Sequence, residues 1–211
     1  MQPLDWKISA EPVSYENAVF LMESRVRAIL GGLASEQVWL LEHPALYTAG
    51  TSAKSEHLLD RDRFPVFSTG RGGQFTYHGP GQRIAYVMLD LRTRNNDLRA
   101  FVSNLENWLI KTLREFGVKG EKRPGQIGVW VNQKSGSYAK IGAIGIRVRR
   151  WITFHGISLN IDPDLSHYGG IVPCGIDNGE YTSLKALGID VQKNQCDQIL
   201  YDSFYEVFGV S

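Results

Sequence analysis

The chain lacks most of the features that would place it in a redox, metal-binding or membrane class. Only two cysteines, Cys174 and Cys196, occur in 211 residues. Two thiols neither build a disulfide framework nor show CxxC or Cys/His metal spacing, so a reduced, cytoplasmic setting and no metal are expected. No run approaches the roughly 18 apolar residues that a membrane span needs. The N-terminal MQPLDWKISAEPVSYEN has no basic segment followed by an apolar one, so neither a secretory signal nor a membrane partner is expected. A net charge of only +1 argues against a general nucleic-acid binder. The Rossmann glycine fingerprint, the P-loop, HExxH and GxSxG are absent, which leaves nucleotide-dependent phosphate chemistry without motif support. With no internal repeat, low-complexity tract or flexible linker, a single domain over residues 1–211 is the expectation.

What is present is ordinary globular composition, 43% hydrophobic and 21% charged, with the charge unevenly spread. Residues 111–150 hold ten Lys/Arg against two acids, whereas residues 151–211 hold eight acids against two lysines. The basic stretch reads either as a surface that steers an acidic partner or as solvated strand and helix faces. Ser14 caps a helix whose apolar residues Tyr15, Ala18, Val19, Met22, Val26 and Ile29 follow helical spacing, closed by Gly31-Gly32. A second helix is expected from about Asp97 to Phe116, with Leu98, Phe101, Val102, Leu105, Leu109, Leu113 and Phe116 inward. A third is expected from Cys196 to Phe208. Between them VWLLEH, PVFST, RIAYVMLDL, IGVWVN, KIGAIGIRVRR and WITFHGISLNI read as strands, the last three pairing antiparallel. In the fifth, Ile144, Ile146 and Val148 alternate with Gly145, Arg147 and Arg149, the period of a half-buried strand. Helices set among many strands imply an α/β (α+β) fold, a mixed β-sheet flanked by helices.

Three segments carry candidate chemistry. Cys174 lies between proline and glycine in GGIVPCGIDNGE, a loop context, whereas Cys196 reads as a structural helix residue. A thiol titrates near 8.5 and needs a nearby cation or base to act as a nucleophile at neutral pH. Lys140, His78 and His155 are candidates for that role; the alternatives are an ordinary strand lysine and satisfied, partly buried histidines. Lys140 opens KIGAIG, where Gly142 and Gly145 strip side chains from a strand, as at a bulge or at a ligand's close approach. The third segment is RGGQFTYHGPGQ, residues 71–82. Its glycines can turn backbone N–H groups toward a carbonyl or carboxylate, Arg71 can pair with an anion, and Phe75 and Tyr77 can wall an apolar slot. The alternative is a tight connection between PVFST and RIAYVMLDL, for which this segment is long.

Taken in order, RGGQFTYHGPGQ, KIGAIGIRVRR–WITFHGISLN and DLSHYGGIVPCGI, extended by LLEHPALYTAG and YVMLDL, resemble the octanoyl-(acyl carrier protein):protein octanoyltransferases of lipoate biosynthesis. The likeness covers most of residues 36–185; Val87 departs from it, standing where proline is expected. The resemblance implies a fold like the catalytic domain of biotin and lipoate protein ligases. It implies transfer of an octanoyl group from octanoyl-acyl carrier protein to a lysine of a lipoyl domain or of glycine-cleavage H protein. It also implies Cys174 as the acyl-thioester nucleophile and Lys140 as the neighbouring lysine that lowers the thiol's pKa. The implied acyl pocket comprises Arg71, Gly72, Gly73, Gln74, Phe75, Thr76, Tyr77 and His78 with Ala143, Ile144, Gly145, Gly156, Ile157 and Ser158. No cofactor is implied, and a monomer is expected.

The chemistry is consistent with that resemblance. Thioester exchange is nearly isoenergetic and amine attack on a thioester is downhill, so the transfer needs no ATP. The nearest rival is an ATP-dependent lipoate or biotin ligase on the same scaffold, which makes an acyl-adenylate and has no use for the PCG cysteine. In the related amidotransferases the cysteine lies elsewhere. A non-catalytic carrier-binding module has no need of both Lys140 and Cys174.

Overall fold

The computed structural model describes residues 3–133, 136–172 and 180–209. In chain order its elements are β1 (Asp5–Ile8), α1 (Tyr15–Leu30), β2 (Gln37–Leu41), β3 (Leu46–Ala49), β4 (Val66–Ser68), β5 (Phe75–His78) and β6 (Gln82–Met88). There follow α2 (Leu98–Glu115), β7 (Gly120–Arg123), β8 (Gln126–Asn132), β9 (Tyr138–Arg149), β10 (Ile152–Asn160), β11 (Glu180–Tyr181) and α3 (Lys193–Phe208). The large sheet runs β1-β2-β6-β10-β9-β8-β7 with β11 beside β9, and a small sheet runs β4-β3-β5. The large sheet is mixed: β1 pairs β2 and β11 pairs β9 in parallel, and the other pairs are antiparallel.

The apolar runs of β2 and β6 follow from burial on both faces, since successive side chains of a strand point to opposite sides. Val38, Leu40, Ala85 and Val87 join Leu105, Trp108, Leu109, Leu200 and Phe204 on the side of α2 and α3. Trp39, Leu41, Ile84, Tyr86 and Met88 join Met22, Val26 and Ile29 on the side of α1. Val87, the departure from the resembled pattern, is therefore a buried residue of the first core. The first two helices start where the sequence indicates: Ser14 accepts from the Asn17 N–H, and Asp97 accepts from the Ala100 N–H. No described helix is long and apolar enough to cross a membrane.

Several local expectations need correction. Leu98, expected inward, is 41% exposed because it occupies the first helical position, before α2 reaches the sheet. Trp108, not among the expected core positions, is fully buried and donates its indole N–H to the Leu200 carbonyl, tying α2 to α3. The last helix begins at Lys193, ahead of Cys196. PVFST and RIAYVMLDL do not form a hairpin: β4 pairs β3, and β6 lies in the other sheet. Residues 71–82 are not one loop, because Phe75–His78 is a strand on β3. The clean alternation expected at 144–149 is absent; Ile144 to Val148 are all half-buried. On one side of β9, Gly72 donates to the Ile146 carbonyl, and the Arg147 guanidinium lies 5.3 Å over the Phe154 ring.

One buried ion pair joins the sheet to α3. Arg83 on β6 donates Nε and Nη2 to the two carboxylate oxygens of Asp197, both at 2.7 Å, with its side chain fully buried. Removing one partner of such a pair leaves an uncompensated charge and costs about 3–5 kcal/mol. Asp197→Ala is accordingly expected to lose stability of that order in urea unfolding. A loss near zero would contradict the role given to this pair.

Candidate active site

The two sheets and the start of α1 enclose a mostly apolar pocket. Residues 71–76, His78, 143–145 and 156–158 line it with Tyr15, Ile84, Tyr86 and His155. Strand register explains the grouping, because Ala143, Ile144 and Gly145 stand opposite Ser158, Ile157 and Gly156 across β9 and β10. The structure thus brings together every residue expected at an acyl pocket except Tyr77. That ring lies among Tyr47, Phe64 and Tyr168 in a separate core, and its hydroxyl meets His167 Nδ1 at 2.8 Å.

A second cleft of about 400 Å³ adjoins the pocket and shares Gly72, Gly73, Gln74, Ile144 and Gly145 with it; Lys140, Val102, Gly125 to Ile127, Ser52 and Ile146 complete its lining. Lys140 is 3% exposed; its Nζ donates to the Ile127 carbonyl at 2.9 Å and lies 5.3 Å over the Trp130 ring. The side chain crosses β8 at Gly128, whose φ is +125° and where a Cβ would come within 2.5 Å of Lys140 Cε. Glycine inside the IGVWVN strand was the signal for this passage. Cys174 lies outside the described residues. The chain on either side of it is held: Val172 donates to the His57 carbonyl, and Glu180 and Tyr181 pair with Ala139 and Lys140.

Arg71 acts as a brace within the protein. Its Nη2 donates to the Thr48 carbonyl and hydroxyl and to the Gln74 carbonyl, and its Nη1 donates to the Gly72 carbonyl, at 2.7–2.9 Å. The room at the glycines of KIGAIG is likewise taken by the protein. A Cβ at Gly142 would meet Leu109 Cδ1 at 2.9 Å, and one at Gly145 would meet Arg71 Cδ at 2.9 Å. Gly72 spends its N–H on Ile146, so that donor does not face a ligand.

Two buried histidines, His78 and His155, line the pocket, and a third, His43, lies against Tyr86 and His78. Burial above all pushes His43 down to about 4 and His78 and His155 down to about 3, with neighbouring positive charge adding to the effect on His155. Each is neutral at pH 7, which makes His78 and His155 pocket walls; neither is a thiol-activating cation. A neutral imidazole has one N–H. His43 Nδ1 donates to the Val13 carbonyl at 2.5 Å, so its Nε2 accepts from the Tyr86 hydroxyl at 2.7 Å. His78 Nδ1 donates to Gln82 Oε1 at 2.6 Å. Thr48, His43, Tyr15, Ile84 and Tyr86 gave no sequence signal beyond ordinary core or strand character. Four of the ten basic residues of the stretch are paired locally, Lys111 with Glu206, Lys119 with Glu121, Lys122 with Glu106 and Arg147 with Glu23.

The architecture matches a known class. A T. acidophilum protein with bound lipoic acid superimposes with a TM-score of 0.75 over 100% of this chain and 88% of its own, at 14% identity. Lipoate-protein ligase A bound with ATP does so with a TM-score of 0.71 over 97% and 86%, also at 14% identity. The fold is therefore that of lipoate protein ligase catalytic domains, as expected. Residues 14–205 match the lipoyl protein ligase A/B catalytic domain, and the chain belongs to that family. Among its relatives are the octanoyltransferase of Paramagnetospirillum magneticum, 58% identical over 98% of both chains, and that of Parvibaculum lavamentivorans, 60% identical over 97% of this chain and 92% of its own.

The histidines predict an acid-sensitive fold. In the unfolded chain they take up protons below about pH 6.5, whereas the folded groups resist to about 4 or 3. The unfolded state binds more protons in that window, so stability is full above pH 6.5 and is lost as pH falls through it. Urea unfolding is expected to weaken by about 2 kcal/mol or more between pH 7 and pH 5. A flat profile over this range would show that these rings are not buried as described.

Proposed function

We propose that this protein is an octanoyltransferase that carries an octanoyl group from the thioester of an acyl carrier protein to a lysine of a lipoyl domain or glycine-cleavage H protein. The observation that carries this reading is the continuity of an apolar pocket with the cleft that holds Lys140. The high identity to relatives called octanoyltransferase supports it over nearly the whole chain. In this reading the molecule is a single catalytic domain, a cytoplasmic monomer, and uses no cofactor.

Cys174 is the nucleophile. Its thiolate attacks the carrier thioester, the new S–acyl bond forms as the carrier C–S bond breaks, and the carrier thiolate takes a proton from Lys140 Nζ. The target lysine amine then attacks acyl-Cys174, the amide C–N bond forms as the C–S bond to Cys174 breaks, the Cys174 thiolate is restored, and the proton lost by nitrogen returns to Lys140. Support for this pairing comes from Tyr181, which follows the Cys174 segment and stands in register with Lys140. Preorganised N–H donors near the glycine-rich segments stabilise the oxyanion. The rival ATP-dependent ligation shares the fold, as the ATP-bound neighbour illustrates, but has no use for a thiol.

Intact mass spectrometry after mixing with octanoyl-acyl carrier protein, without ATP, checks the reading. A single octanoyl adduct is expected, absent in Cys174→Ser. An adduct that survives the substitution, or one that requires ATP, would overturn the mechanism.

A further inference from the structure

Away from the cleft, the rings of Tyr15, His78, Tyr86 and His155 line the pocket together with Ile84 and Ile157. Gly72, Gly73, Gln74, Ile144 and Gly145 line both the pocket and the Lys140 cleft, so the thioester end of a bound acyl group lies at that border. Tyr15, His78, Ile84, Tyr86 and His155 are among the residues that line the pocket and not the cleft. Gly145, Gly156 and Tyr86 stand side by side on β9, β10 and β6. Two inter-strand steps of about 4.8 Å make the crossing from border to Tyr86 about 10 Å. A saturated eight-carbon chain, with seven C–C bonds of about 1.5 Å in zigzag, reaches about 9 Å. The pocket volume of about 60 Å³ is room for roughly four to six waters.

The end wall is fixed in place. The Tyr86 hydroxyl is held by His43 Nε2, which is itself oriented by the Val13 carbonyl. His155 stands edge-on to Tyr86, ring centroids 5.8 Å apart, at a φ of +59°. A non-glycine residue adopts that conformation rarely, and such strain gathers at functional sites. Glycine would relieve it, so what histidine adds at this position is the ring.

Resting on the acyl-transfer reading above, we propose that Tyr86 and His155 determine acyl-chain length, closing the pocket about eight carbons from the Lys140 cleft. A longer chain must part Tyr86 from His43 or press methylenes onto the imidazole. A shorter one leaves the end unfilled. One methylene in an apolar pocket discriminates by about 10- to 200-fold.

The test offers the protein an equal mixture of octanoyl, decanoyl and dodecanoyl carrier thioesters and reads the mass of the acyl adduct on Cys174. Octanoyl is expected to dominate in the unaltered protein. Tyr86→Ala and His155→Gly are expected to raise the dodecanoyl-to-octanoyl ratio about tenfold or more, and Tyr86→Phe to raise it less. His155→Gly sets relief of backbone strain against the packing lost with the ring; adduct formation shows that it folds, and it then decides the matter if Tyr86→Ala fails to fold. An unchanged ratio in His155→Gly, with adducts still forming, overturns the proposal alone. Absence of any adduct in the unaltered protein overturns the transfer reading and this proposal with it.

Discussion

The guanidinium of Arg71 is the constraint on which the pocket depends. It lies buried between the small sheet and β9, and its nitrogens hold the carbonyls of Thr48, Gly72 and Gln74. Burying a charge is costly unless hydrogen bonds replace the lost water, and here charge-assisted bonds do so on several sides. The same bonds give the 71–74 segment one shape before any ligand arrives. Gly145 is the counterpart of this brace, since any side chain there would strike Arg71. A wall formed in advance lowers the ordering cost of binding.

That rigid wall separates two electrostatic environments. On the inner side, neutral histidines and tyrosines leave a pocket suited to an uncharged chain. On the outer side, Lys140 reaches the cleft over Gly128, supported by the Ile127 carbonyl and the Trp130 face. In the proposed reading, an acyl group spanning the border has its alkyl part beside these rings and the braced Arg71 side chain, and its carbonyl near Lys140. The Arg83–Asp197 pair sits apart from this, holding α3 to the central strand and so keeping the sheet beneath the pocket in register.

Much of the large sheet was legible from local pattern. The runs 127–132, 140–150 and 151–161 pair antiparallel as their order suggested, because neighbouring strands with short connections have few other partners. The helix starts at Ser14 and Asp97 were legible because capping is a property of a few adjacent residues. The small sheet was not legible, since β3, β4 and β5 are three- or four-residue segments whose pairing spans Thr48 to Phe75 and has no local signature. The glycines were noticed but their neighbours were not: Leu109 and Arg71 fill the space over Gly142 and Gly145.

By itself the sequence determined the mixed α/β class, the helix boundaries to within a few residues, and, through long motifs, the group of residues that gather at the pocket. These depend on periodicity, capping and residue type, which are written along the chain. Only the tertiary structure decided what each of those residues does there. Arg71 became a brace, Tyr77 turned to another core, His78 and His155 became neutral walls, and Tyr86 joined them in the pocket lining. Such roles depend on burial and on contacts between residues far apart in the chain, and desolvation, which holds the histidines uncharged, exists only once the fold has closed around them.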